Sequence, residues 1–185
     1  MNLAFILFNG ITWMDLIGIY EPVQKLKSLN YLPDLKWDFC GFTSEISDYG
    51  GFTVKPTQIK NDLSSYDAII VPGGKGTRDM ISNTEFLQWL QTAANVQYKI
   101  SVCTGSLLLG AAGFLKDRKA TTHFDEHETL RPYCGEVRTD RVVVDGTVIT
   151  AGAVTAAIDL GLHLCREWAN DEAAVVIRYK MDYRN

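Results

Sequence analysis

Cys103 stands where an apolar run, Lys99-Ile-Ser-Val102, gives way to a small-residue segment, Thr104-Gly-Ser-Leu-Leu-Leu-Gly-Ala-Ala112. That junction reads as a strand–nucleophile–helix elbow, built on cysteine rather than serine. A side chain at the apex of such a turn is held away from the sheet, near the positive end of a helix dipole. A thiol placed there tends to ionise, and the thiolate is the reactive form. The competing reading is a buried structural cysteine, a common fate of this residue type. The elbow favours the nucleophile at Cys103, while Cys40, Cys134 and Cys165 take the structural reading.

Asp15 is the candidate acid/base. Trp13, Met14, Leu16 and Ile17 flank it, and a carboxylate among apolar groups near a thiolate has its pKa raised. It then holds a proton, hydrogen-bonds the sulfur and delivers that proton during turnover. The plainer alternative is a carboxylate that only complements a helix N-terminus. Glu21, six residues on, is the rival carboxylate and reads as a solvated helix residue. In Pro72-Gly-Gly-Lys-Gly76, the backbone N–H groups of Gly73 and Gly74 are unobstructed at a strand end. With the Thr104 N–H they are expected to form an anion-stabilising hole facing Cys103, against the alternative of a plain turn. This segment lacks the spacing of a phosphate loop. His123 either contacts Cys103 or only lines the pocket. His123 and His127, four apart among Asp125, Glu126 and Glu128, invite a metal reading, but acidic residues equally suit a helix start. No metal and no organic cofactor is expected. His163 lies in an apolar helical pattern and reads as a satisfied core histidine.

The elements that must position these groups alternate. Leu3–Phe8 is an apolar strand of buried, parallel type, and Asp15–Leu29 carries apolar residues at helical spacing, with Pro22 tolerated near a first turn or kinking the segment. Lys36–Phe42, Tyr66–Val71 and Lys99–Val102 are further strands. Asn83–Ala94, Phe124–Leu130, Thr155–Trp168 and Asp171–Tyr183 are helical. The turn-rich Ser44–Gly51 joins short strands, and Pro56–Ile59 pairs on an edge. Glu136–Asp140, Val142–Val144 and Val148–Thr150 are strands, with Asp145-Gly146 as a two-residue hairpin turn. This alternation implies an α/β fold with a mostly parallel sheet covered on both faces. Ligands bind such sheets outside the carboxyl ends of the strands. Asn9–Asp15, Pro72–Gly76 and Cys103–Thr104 all fall at such ends.

A chain of 185 residues with 46% hydrophobic and 22% charged residues suits one domain with a real core, expected over 1–185 with no helix-turn-helix extension. A net charge of −4 gives no footprint for nucleic acid or an anionic membrane. No segment is long and apolar enough to span a bilayer. The four cysteines form no C-x-x-C pair and match no zinc spacing. With no export signal read at the start of the chain, reduced thiols in the cytoplasm are expected.

Val71-Pro-Gly-Gly74, Ser101-Val-Cys-Thr-Gly105 and Ala120-Thr-Thr-His123, in this order and spacing, resemble the ThiJ/PfpI superfamily over essentially the whole chain. Met14-Asp15-Leu16 together with the elbow is closest to the isonitrile hydratase branch. The resemblance implies a class I glutamine amidotransferase-like, flavodoxin-like three-layer sandwich with a cysteine nucleophile elbow. It also implies a homodimer and a His near the nucleophile at position 123. Three positions depart from the pattern: Ile19 replaces a proline, and Ala153 and Ala157 replace glycines. These changes are expected to reshape the pocket. Thr104 stands where PfpI proteases place histidine, which argues against peptidase chemistry. The implied reaction is addition of water to a small isonitrile through a Cys103 thioimidate, with Asp15 as acid/base. The alternatives are a redox-responsive protein whose Cys103 is oxidised, and glyoxalase-like or hydrolytic chemistry on another small electrophile.

Overall fold

Leu3–Leu7 and Ala68–Val71 are buried at every position. A strand covered on both faces has to be apolar at successive rather than alternate residues. The computed structural model describes residues 1–184. It opens with β1 (Asn2–Leu7), α1 (Trp13–Ser28) and β2 (Lys36–Gly41), followed by a small hairpin of β3 (Ile46–Ser47) and β4 (Thr53–Val54). Next come β5 (Gln58–Ile59), β6 (Ala68–Val71), α2 (Thr77–Met80), α3 (Thr84–Gln91), β7 (Tyr98–Val102) and α4 (Gly105–Ala111). β8 (Lys119–Ala120) leads to a 3-10 turn at Phe124–Glu126 that runs into α5 (His127–Leu130). β9 (Glu136–Val137), β10 (Val142–Asp145), β11 (Val148–Ala151), α6 (Ala156–Trp168) and α7 (Asp171–Lys180) complete the chain.

Seven strands form one sheet in the order β10-β11-β7-β6-β1-β2-β5. Only the β10–β11 pair is antiparallel. The strand order runs outward from β1 in both directions, so a topological switch point lies between β1 and β6. A ligand crevice is expected outside the carboxyl ends of those two strands. Along β1, Leu3, Phe5 and Leu7 point into one core, and Ala4, Ile6 and Phe8 point into the other. α1, α6 and α7 cover the first face, and α3 and α4 cover the second. This is a three-layer α/β sandwich, as the alternation predicts. Each large apolar side chain so buried contributes about 1.5–3 kcal/mol. Asn83 and Asn170 cap α3 and α7 by accepting the Phe86 and Ala173 N–H groups at 3.0 and 2.8 Å, each cap being worth about 1 kcal/mol.

Several local expectations change. Pro22 lies deep inside α1 rather than in its first turn. Strand structure after β8 stops at Val137 rather than Asp140, because Glu136 and Val137 find a partner only in the two residues of β8. The hairpin loop is Gly146-Thr147, since Asp145 pairs with Val148. Gly146 has φ 62°, as the first position of a type II′ turn requires. His163 is half-buried, and its Nε2 is buried without a hydrogen-bond partner among the described residues; burial lowers its pKa. The satisfied core histidine of the sequence reading is therefore an unsatisfied one.

α1 and α6 make the closest helix contact of the first face. A Cβ built on Gly18 would sit 2.6 Å from the Ala157 Cβ. Ala157, one of the departures from the family pattern, therefore faces the other helix and is fully buried. Gly18→Ala gains about 1 kcal/mol of helix propensity but overpacks this contact, with an expected net destabilisation of about 1–3 kcal/mol. The exchange Gly18→Ala/Ala157→Gly should restore most of the loss. Urea unfolding of the four members of this cycle measures the coupling.

Candidate active site

The elbow is fixed from both sides of its backbone. Cys103 has φ 55°, a left-handed conformation uncommon for a residue with a Cβ. Its N–H donates to the carbonyls of Ala151 and Gly152 at 3.0 and 2.8 Å. Its carbonyl accepts the hydroxyls of Ser106 and Thr122 at 3.2 and 3.0 Å. α4 then starts at Gly105, where a Cβ would come within 2.1 Å of the Val71 carbonyl oxygen. No other residue lets the helix begin so close to the end of β6.

Asp15 enters from the first turn of α1 with no exposure to solvent. Its Oδ2 accepts the Gly73 N–H at 2.9 Å, a bond that spans the switch point between β1 and β6. Its Oδ1 is buried with no hydrogen bond of ordinary geometry, and the remaining polar group acting on the carboxyl is the Cys103 side chain. Burial pushes the Asp15 pKa up to about 7, against smaller lowering effects from Gly73 and Cys103. Burial likewise pushes the Cys103 thiol up to about 12, and the Asp15 charge adds to that. The Thr104 and Val154 backbone N–H groups oppose the shift by donating toward the sulfur. The elbow therefore does not by itself yield a free thiolate: desolvation outweighs the seven-residue helix behind it.

The glycine amides take different roles from those expected. The Gly73 N–H is committed to Asp15, and the Gly74 N–H donates to Thr104 Oγ1 at 3.0 Å. A Cβ on Gly73 would lie 2.6 Å from the Thr104 nitrogen, so this loop has to be glycine to pack against the elbow. The donors that face the sulfur are the amides of Thr104 and of Val154, the second of which no side-chain pattern marks.

Cys103, Thr104, Gly74 and His123 line one cavity of about 200 Å³, together with Thr12, Lys75, Arg78, Asp125 and Val154. His123 Nδ1 accepts the Asp125 N–H at 3.3 Å, and its ring stacks on Phe124 with centroids 4.3 Å apart. No hydrogen bond joins it to Cys103 among the described residues, so it lines the cavity. Among the described residues no group of three His, Cys, Asp or Glu could hold a metal ion, and His123 and His127 do not form one. Glu21 pairs with Lys25 at 2.7 Å, away from the site. Cys40 and Cys165 are buried, and Cys134 is half-buried. Ile19, Ala153 and Ala157 are not among the cavity-lining residues. Ile19 and Ala157 belong to the α1–α6 core, so these two departures alter packing rather than the pocket wall. A second hollow of about 280 Å³, lined by α6 and α7 residues, contains none of these groups.

The DJ-1/PfpI family model matches residues 1–167. The chain belongs to the DJ-1/PfpI family. One DJ-1/PfpI relative, isonitrile hydratase from Pseudomonas putida, is 36% identical over 99% of this chain and 78% of its own length. The transcriptional regulator GbdR of Pseudomonas aeruginosa is 24% identical over 95% of this chain, which spans 49% of that protein. Among solved structures, a THiJ/PfpI family protein from Pseudomonas syringae is 30% identical with a TM-score of 0.89, covering all of this chain and 75% of the other. These curated relatives are named as an enzyme and as a transcriptional regulator.

The paired groups set a pH signature. Below about pH 7 both Asp15 and Cys103 are protonated. Above it the pair has lost one proton, the remaining one resides mainly on sulfur, and the thiolate–acid tautomer stays at a fixed minor fraction. The rate of Cys103 alkylation by iodoacetamide should therefore rise with pH up to about 7 and then flatten. In Asp15→Asn the inflection should vanish and the rate should keep rising into the alkaline range. Peptide mapping by mass spectrometry measures both profiles, and an identical inflection in the variant would refute the shared proton.

Proposed function

We propose that this protein hydrates a small isonitrile, R–N≡C, to the N-substituted formamide. The observation that carries the reading is the fully buried Asp15 carboxyl, with its pKa raised to about 7, set against the elbow cysteine. The identity to an isonitrile hydratase over nearly the whole chain supports it. So does the small cavity, which is below the 300–1,000 Å³ usual for larger ligands.

The pair holds one proton in two arrangements, thiol with carboxylate or thiolate with carboxylic acid. Transfer between them produces nucleophile and acid together. The terminal carbon of the isonitrile receives both the Cys103 sulfur and the Asp15 proton, giving the thioimidate R–N=CH–S–Cys103. The Asp15 carboxylate then takes a proton from water as the hydroxyl adds to that carbon, and passes it to nitrogen. Collapse of the adduct breaks the C–S bond and returns the hydroxyl proton to Asp15. Thiolate leaves, and R–NH–CHO departs. Thr104 and Val154 N–H groups stabilise the sulfur whenever it carries charge. The chemistry consumes only water and uses no cofactor. Gly73 is a positioning residue that aims the carboxyl, and His123 contributes to the cavity wall.

Cys103→Ala should abolish formamide production from an alkyl isonitrile. Asp15→Asn, which keeps an acceptor for the Gly73 N–H, should lower kcat by roughly 10²–10⁴-fold. Chromatography of the formamide measures both. Full hydration by Cys103→Ala would overturn the mechanism, and conversion of a 2-oxoaldehyde with none of an isonitrile would favour the glyoxalase-like alternative.

The same reading takes the protein to act as a cytoplasmic homodimer. Met14 and Ile17 are exposed on α1 beside Asp15, and Trp13 packs edge-on against the exposed Phe52, with ring centroids 5.6 Å apart. This apolar surface suits a second copy of the chain. Light scattering should give twice the chain mass, and Ile17→Glu should shift it toward the monomer.

A further inference from the structure

The cavity beside Cys103 has a buried floor and a charged rim. Cys103 and Thr104 are nearly inaccessible, whereas Lys75 and Arg78 are exposed. The rim has two sides. One is the segment from Gly74 through α2, carrying Lys75 and Arg78. The other is the 3-10 turn after His123, where Asp125 lines the cavity and Glu126 follows it in the turn. The Arg78 guanidinium reaches across and forms an ion pair with Glu126. These residues are 48 positions apart in the chain, so the pair joins two segments that no other ion pair among the described residues ties together. Glu126 is largely covered, with 17% of its side chain exposed, while Arg78 remains half open to solvent. Lys75, by contrast, only lies over the Tyr49 ring, at 5.7 Å from its centroid.

We propose that the Arg78–Glu126 pair is a clasp across the cavity mouth that limits the bulk of the substituent reaching Cys103. The proposal rests on the reading of Cys103 as the nucleophile toward small electrophiles, and it assigns size selection to two residues outside the acid–thiolate machinery. Substrates with a methyl or ethyl group pass beneath the clasp. Those with long or branched groups have to open it, which separates α2 from the 3-10 turn and returns Arg78 and Glu126 to water.

The test is a series of n-alkyl isonitriles from methyl to octyl, assayed with wild type, Arg78→Ala, Glu126→Gln and the charge exchange Arg78→Glu/Glu126→Arg. Opening the clasp should raise the octyl-to-methyl ratio of kcat/KM by about tenfold or more, the scale on which a pocket discriminates a few methylenes. The charge exchange should bring the ratio back toward wild type, which loss of folding or a general loosening would not do. A second arm needs no turnover. Cys103 alkylation by N-methylmaleimide and N-benzylmaleimide is followed by peptide mapping. The bulky reagent should be selectively slow in wild type and fast in Glu126→Gln. If isonitriles are hydrated with the same size ratio in every variant, the clasp is refuted and the hydratase reading stands. If no isonitrile is hydrated but the maleimide selectivity is relieved in the variants, the clasp stands and the hydratase reading falls. Equal maleimide selectivity in all variants refutes the clasp on its own.

Discussion

A carboxyl group removed from water is destabilised in its charged form by several kcal/mol unless hydrogen bonds replace the lost hydration. Asp15 receives one such bond, from the Gly73 amide, and leaves its other oxygen without one. A single neutral donor does not compensate a full charge, so the group retains a proton up to about pH 7. The arrangement depends on β1 and β6 lying side by side and parallel, because α1 follows the end of one strand and the glycine loop follows the end of the other. The sheet topology therefore sets the protonation state of the site. A slip of β1 against β6 would separate donor from carboxylate and leave a buried acid with no backbone partner at all.

The elbow answers a second constraint. A non-glycine residue in the left-handed region is held there against about 1–3 kcal/mol of strain. At Cys103 the compensating bonds come from the carbonyls of Ala151, at the end of β11, and of Gly152, just after it, and from Thr122 and Ser106. This gives the Ala120-Thr-Thr-His123 segment a physical role. Thr121 fastens the segment to the Thr150 hydroxyl at 2.8 Å, and Thr122 fastens the elbow carbonyl. His123 follows at the cavity wall because the two threonines before it are anchored.

Much of this was legible in the sequence because it is carried by side-chain type. Unbroken apolar runs marked the central strands, and the Cys-Thr-Gly junction marked the elbow. Asp15 among apolar neighbours marked a carboxyl that loses its water. What was not legible lies in backbone groups and in pairings across long separations. Gly73 and Asp15 are 58 residues apart, and nothing local says that the Gly73 amide is already committed. The Val154 amide carries no side-chain signature. The thiol's position was misjudged for the same kind of reason: a helix terminus is visible in sequence, whereas the depth of burial that outweighs it is a tertiary quantity. Ala157 looked like a change to the pocket because it departs from the family pattern, yet its side chain faces Gly18 at the α1–α6 contact.

The site is thus built in two tiers with different tolerances. Cys103 is fixed by its N–H bonds to Ala151 and Gly152, Asp15 and Gly73 by the carboxylate–amide bond between them, and Thr104 by the bonds of its hydroxyl with Gly74, and any shift in them moves both the proton and the nucleophile. Lys75, Arg78, His123 and Asp125 sit on short connecting segments, and their side chains are more exposed than the floor. Substitution at the rim changes what fits without disturbing the shared proton, whereas substitution in the floor changes whether the thiolate forms. For this chain, the buried acid beside the sulfur carries a desolvation penalty that an asparagine accepting the same Gly73 bond would not.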